Sequence, residues 1–157
     1  VTCGSDEKCE AARGWGASHA INYRAQDFVE EVKRITGGRG CQAVLDMVGG
    51  DYVPRNIECL ADDGRHVSIA TSGGPKATIF LPALMSRRLT LTGSTLRPRS
   101  VAFKSLIADE LIRTVWSFVE KGKLRPAMDK RFALTDAANA HARMDAGEHF
   151  GKIVLIP

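Results

Sequence analysis

Five short stretches stand at the ends of apolar runs: Gly4-Ser5, Tyr23-Arg24, Val48-Gly49-Gly50, Ala70-Thr71-Ser72-Gly73-Gly74 and Gly93-Ser94-Thr95. Most are small, Gly-rich and hydroxyl-bearing. Residues without bulk let a flat ring or a phosphate approach the backbone closely, so the chemistry they suit is nucleotide binding. Any one of them alone makes no more than a tight turn. Their recurrence in register points to a nucleotide crevice. Lys8 adds charge in the first turn of the helix that Ser5 starts. A cation there opposes the helix dipole by a few tenths of a kcal/mol. A bound phosphate monoester satisfies both the lysine and the helix end. Tyr23 offers a ring for adenine, and Arg24 offers further charge. These residues favour NADP. Asp6 and Glu7 offset the charge of Lys8, and Asp6 keeps NAD open, because an Asp this close to the tip reaches a ribose diol.

Other constellations are missing. No G-x-G-x-x-G follows a strand, so the turn that receives a dinucleotide pyrophosphate has no candidate. Either the site is not for a dinucleotide, or a first βα unit is expected upstream of Val1. No Ser/His/Asp set or paired carboxylates occur, and no catalytic residue is assigned. His19, His66, His141 and His149 are dispersed and read as packing residues. Asp46, near the end of an apolar strand, reads as a structural carboxylate bound to nearby backbone.

The elements that must position the tips alternate between strand and helix. Strands are expected over 19–23, 41–50, 65–74 and 89–96, with a closing strand over 151–157. The 41–50 run is apolar enough to be covered on both faces. Helical stripes run through Phe28, Val29, Val32 and Ile35, then through Val53, Ile57 and Leu60. Gly37-Gly38 supplies a left-handed stop, and Asp62-Asp63-Gly64 a turn. A short helix is predicted over 81–88 and a long one over 103–121. The long one has Phe103, Leu106, Ile107, Leu111, Val115, Phe118 and Val119 on its apolar face. A small strand and a helix capped near Thr135 or Asp136 follow. Such alternation predicts an α/β fold, a doubly wound parallel sheet with ligands beyond the strand carboxyl ends.

The chain has 157 residues and a net charge of +4, from 22 Lys and Arg against 18 Asp and Glu. That excess is too scattered to imply nucleic acid. Arg87-Arg88 and Arg97-Pro98-Arg99 are the densest basic spots and read as solvated ends. Cys3, Cys9, Cys41 and Cys59 have no metal spacing and read as free thiols of a reducing cytoplasm, with no metal site. No apolar run approaches a membrane span.

The ordered set "GSDEK" (4–8), "GASHAINYR" (16–24), "ITGGRGCQAVLDMVGGDY" (35–52), "GRHVSIATSGG" (64–74), "LTGSTLRPRS" (91–100), "KGKLRPAMDKRFALTDAANAHARMDAG" (121–147) and "GKIVLIP" resembles a known family. It is similar to the zinc-independent quinone oxidoreductases of the medium-chain dehydrogenase/reductase superfamily, the zeta-crystallin and p53-inducible quinone reductase group. The resemblance implies the C-terminal half of such a protein. Residues 1–129 would be a partial NADP-binding Rossmann domain from its second strand onward. Residues 130–157 would return to a missing N-terminal substrate domain. It implies NADPH-dependent hydride transfer to a quinone or enone, no zinc, and a homodimer paired through the "LTLTGST" edge. This part alone is expected to be inactive.

Carried over by position, Gly4, Ser5 and Lys8 match the phosphate-ribose site and Tyr23 the adenosine side. Val48 lies where a strand meets the cofactor, and Ala70 and Thr71 beside the nicotinamide ribose. Ser94, Thr95 and Leu96 match the loop near the nicotinamide amide. His149 stands at a position often held by Asn, which leaves its contact open. Without the first strand, the sheet should break beside the "QAVLDMV" strand and expose its apolar edge. The alternatives are another medium-chain reductase such as an enoyl reductase, a non-catalytic nucleotide-binding or interaction module, and nucleic-acid binding through the arginines.

Overall fold

The computed structural model describes Val1–Pro157. Its elements are β1 (Thr2–Cys3), α1 (Asp6–Gly14), β2 (Ile21–Asn22), α2 (Phe28–Thr36), β3 (Cys41–Asp46), α3 (Tyr52–Cys59), β4 (Leu60–Ser68), α4 (Leu81–Ser86), β5 (Thr90–Gly93), α5 (Val101–Thr114), α6 (Trp116–Glu120), β6 (Met128–Ala133), a 3-10 turn at Leu134–Asp136, α7 (Ala137–Asp145) and β7 (Lys152–Ile156). The strands make separate ladders: β1 with β2, β3-β4-β5 in that order, and β6 with β7. The last two ladders are parallel throughout. This is a Rossmann-like α/β fold. The chain divides into two compact units. Thr2 and Ile21–Val101 form one, and Val1, Cys3–Ala20 and Ala102–Pro157 form the other.

In the Ile21–Val101 unit, sequence dictates where α2 begins and ends. The Asp27 carboxylate accepts from Val29 N at 2.8 Å and Glu30 N at 3.3 Å, filling two orphan donors of the first turn. Gly37 closes the helix in the left-handed conformation at φ +60°. Phe28 and Val29 then bury against Ile21 and Cys59. The second cluster packs Val53 and Ile57 of α3 against Leu60 and Leu89. Burial pushes the Cys59 thiol up to about 12, so it is inert. All four cysteines are free.

Several expectations need correction here. The 19–23 strand is only Ile21–Asn22, because the Asn22 carbonyl already accepts from Ala25 N and Gln26 N in a turn that takes Tyr23. Strand β4 starts early, at Leu60. Its register jumps from Cys41↔Leu60 to Ala43↔Arg65, so the expected Asp62-Asp63-Gly64 turn survives as a bulge. Arg87 is not solvated: its guanidinium donates to the carbonyls of Ile57 and Leu60 at the end of α3. Arg88 pairs with Asp63, Nε to Oδ1 at 2.8 Å.

The 41–50 run is covered on one face only. Val44 packs inward, while Leu45 is 66% and Met47 58% exposed. Nothing packs on the face that carries Leu45 and Met47, and β3 is in addition an edge strand, paired to β4 alone.

In the other unit, Ser5 caps α1 by accepting from Lys8 N at 3.3 Å. The predicted helix over 103–121 is two helices, interrupted at Val115. Its expected core face is largely exposed, from Phe103 through Leu106 and Leu111 to Phe118. Asp129 on β6 accepts from Arg143 Nε at 2.5 Å, Arg143 Nη2 at 2.9 Å and Phe150 N at 3.1 Å. The Arg143 hydrogen bonds, helped by the Phe150 amide, hold its carboxyl down to about 2. A depressed carboxyl stabilises the fold above its unfolded value near 3.8 and loses that contribution as pH falls to about 2. Arg143→Met should therefore lower the melting temperature at pH 7, and the gap to the parent protein should narrow between pH 4 and pH 2. A gap that stays constant across that range would show that the pair contributes nothing. No helix is long and apolar enough to cross a membrane.

Candidate functional site

The carboxyl ends of β3, β4 and β5 carry the loops of interest. Buried Asp46 ends β3, and its Oδ1 accepts from Val48 N at 2.8 Å and Gly49 N at 3.1 Å. The carboxylate is thus the structural, backbone-bound group the sequence indicates. The loop after β4 docks on this turn. Ile69 N donates to Asp46 O at 2.8 Å, Ser72 N to Met47 O at 3.3 Å and Gly73 N to Val48 O at 2.7 Å. Gly49 and Gly74 form a parallel bridge. At Gly49, φ is +70° and a Cβ would lie 2.7 Å from the Gly74 carbonyl oxygen, so only glycine fits.

Beside this interlock is a cavity of about 420 Å³, lined by Ser68, Ile69, Ala70, Thr71, Gly93, Ser94, Thr95 and Arg99. Four predicted residues, Ala70, Thr71, Ser94 and Thr95, therefore meet in one place. Ser94 N donates to Ser68 O at 3.0 Å, which ties the loop after β5 to the end of β4. Val48 is half-buried in the neighbouring interlock, where its Cγ1 would lie 2.9 Å from a Cβ on Gly73. Leu96 follows Thr95 and is exposed. Tyr23 packs edge-on to Tyr52, ring centroids 6.4 Å apart.

Arg99 is the lining residue the sequence did not single out. It donates through Nε to the Thr95 carbonyl at 3.3 Å and is exposed, so the solvated reading of that basic spot stands while its side chain borders the cavity. Its spacing of four from Thr95 was the available signal.

Gly4, Ser5, Lys8 and His149 belong to the other unit. There Lys8 Nζ donates to the carbonyl of Gly147. The Glu7 carboxyl is held below its ordinary range, first by its own backbone N–H and then by the Ser5 hydroxyl. His149 Nδ1 is buried and has no hydrogen-bond partner. A buried polar atom in that state carries a desolvation cost until something bonds it. No three His, Cys, Asp or Glu side chains converge as a metal-ligand set.

The chain is 32% identical to a 2-haloacrylate reductase of Burkholderia over 99% of its own length and 47% of the relative's. It superposes with a TM-score of 0.82 on the Escherichia coli quinone oxidoreductase complexed with NADPH, at 31% identity, covering 99% of this chain and 48% of that one. An NAD-dependent alcohol dehydrogenase structure gives a TM-score of 0.82 at 31% identity, over 99% and 43%. The chain thus spans about half the length of the curated relatives it matches. A family model described as zinc-binding dehydrogenase matches residues 15–155. By that match and by its parallel Rossmann-like architecture, the chain belongs to the zinc-binding dehydrogenases of the medium-chain dehydrogenase/reductase superfamily.

Proposed function

We propose that the full-length protein is an NADPH-dependent oxidoreductase that delivers hydride to a quinone or enone, and that this chain supplies most of its coenzyme site. The observation that carries the reading is the cavity where Ala70, Thr71, Ser94 and Thr95 meet at the carboxyl ends of β4 and β5. Its lining fits a flat, polar ring: small side chains give close approach, and the Ser94 and Thr95 hydroxyls give donors and acceptors. The unpartnered His149 Nδ1 is a second group suited to bonding a coenzyme. When bound, the nicotinamide supplies the hydride. The chain's residues hold the ring, orient it and keep water from it. No step needs a metal, and none is assigned to one.

Relatives named for a quinone and for a 2-haloacrylate support an acceptor with a conjugated double bond. A homodimer through the free edge of β5 and a place in the reducing cytoplasm complete the proposal.

Gly4, Ser5 and Lys8 are assigned to the 2′-phosphate and Tyr23 to the adenine. Val48 and Leu96 are assigned to the flanks of the nicotinamide half. The second reading, NADH, rests on Glu7, the ionised carboxylate beside Ser5, which suits a free diol better than a phosphate. Fluorescence titration of the full-length protein separates them. NADPH should bind about 10-fold tighter than NADH, and Lys8→Glu should cancel that margin, the worth of one charge-assisted contact. Tighter NADH binding would establish the second reading. Binding of neither coenzyme would end the enzymatic one.

A further inference from the structure

A buried carboxylate needs donors on every face, and backbone amides supply only part of the set for Asp46. Gly49 N also reaches Oδ2, at 3.3 Å, and the remaining partner is His66 on β4. Its Nε2 lies 3.2 Å from Asp46 Oδ2, and both side chains are only 2% exposed. The carboxylate only accepts, so this contact is attractive only with the proton on Nε2. Asn56 Nδ2, itself a donor, sits 3.5 Å from the same nitrogen and bonds it only in the other tautomer. His66 is too buried to touch a bound molecule.

The contact leads to the cavity in three short steps. His66 holds Oδ2, and the same carboxylate binds the amides of Val48 and Gly49. That turn accepts from the loop after β4, through Met47 O to Ser72 Oγ at 2.9 Å and Val48 O to Gly73 N at 2.7 Å. The docked loop carries Ala70 and Thr71 into the cavity lining. We propose that His66 is a positioning residue for the coenzyme loop: its Nε2–H fixes the Asp46 carboxylate, which fixes the turn on which Ala70 and Thr71 are built. The link to coenzyme rests on the function proposed above. A packing role alone would require only the imidazole's bulk. The donor role requires an N–H at the Nε2 position, which Gln provides and Leu does not.

The test uses the full-length protein and reads amide hydrogen exchange without coenzyme, then NADPH affinity. His66→Leu should speed exchange at 47–50 and 72–74 about 10-fold, leave the α2 amides unchanged and weaken NADPH binding about 10-fold, the scale of one lost charge-assisted hydrogen bond. His66→Gln should stay within about 2-fold of the parent in both measurements. Should His66→Leu fail to fold, Asp46→Asn gives the same local exchange readout. Unchanged exchange in the loops, or equal impairment by Leu and Gln, would overturn the positioning role. A parent protein that binds neither NADPH nor NADH would instead overturn the proposed function, because the exchange result does not depend on coenzyme.

Discussion

Gly49→Ala should destabilise the protein by about 2–6 kcal/mol, whereas Gly37→Ala should cost only about 1–2 kcal/mol. Both glycines have left-handed backbones, φ +70° and +60°. That strain alone costs an alanine about 1–2 kcal/mol. The surroundings differ. Around Gly37 a Cβ meets nothing within 4 Å, so only the backbone strain is felt there. Around Gly49 the Cβ would lie 2.7 Å from Gly74 O and 3.2 Å from Thr71 Cα, both backbone atoms that cannot step aside. Relief requires the Gly49–Gly74 bridge to open, and with it the docking of Ser72 and Gly73 on the turn after β3. A loss near the top of that range would consume a large share of a typical domain's stability. Denaturant midpoints of the two variants at equal slope measure the difference. Equal losses would show that the two loops do not lock.

Much of this region was legible because its signals are local. Asp27 and Gly37 bracket α2 within one helix length, and the Gly, Ser and Thr tips mark the strand ends that β3, β4 and β5 present. Asp46 could be read as structural because it lies two and three residues from the amides it binds. The parts that were not legible depend on tertiary meeting. Arg87 finds carbonyls at Ile57 and Leu60, some thirty residues away, and nothing in "SRR" distinguishes it from a solvated arginine. His66 and Asp46 sit on adjacent strands, where His66 pairs with Val44 and its ring reaches Asp46 diagonally, two residues along, which only the register reveals. The stripe from Phe103 to Val119 reads as a core face by periodicity, yet it is largely exposed, because periodicity reports amphipathicity and not what covers it. The same limit explains Leu45 and Met47, apolar residues on an uncovered face of an edge strand.

Blocking the cavity should have the largest effect on binding. Ala70→Trp is expected to raise the NADPH dissociation constant by at least about 100-fold, near 2.7 kcal/mol. Ala70 is exposed and lines the cavity, so an indole there occupies the space without crowding the core. Stability should then change by no more than about 0.5 kcal/mol. The control lies in the same unit. A larger cavity of about 600 Å³ is bounded by Asp51, Pro54, Pro75, Lys76, Ala77 and Thr78. Volume alone would make it the better coenzyme site. It contains none of the residues assigned to the coenzyme, and its two prolines remove backbone donors that a polar ring or phosphate would use. Ala77→Trp should therefore leave NADPH affinity within about 2-fold of the parent. If the two variants lose affinity equally, or Ala70→Trp loses none, the nicotinamide does not sit among Ala70, Thr71, Ser94 and Thr95. The assignment thus stands on which loops converge at the strand ends, and a pair of tryptophans at exposed alanines is enough to decide it.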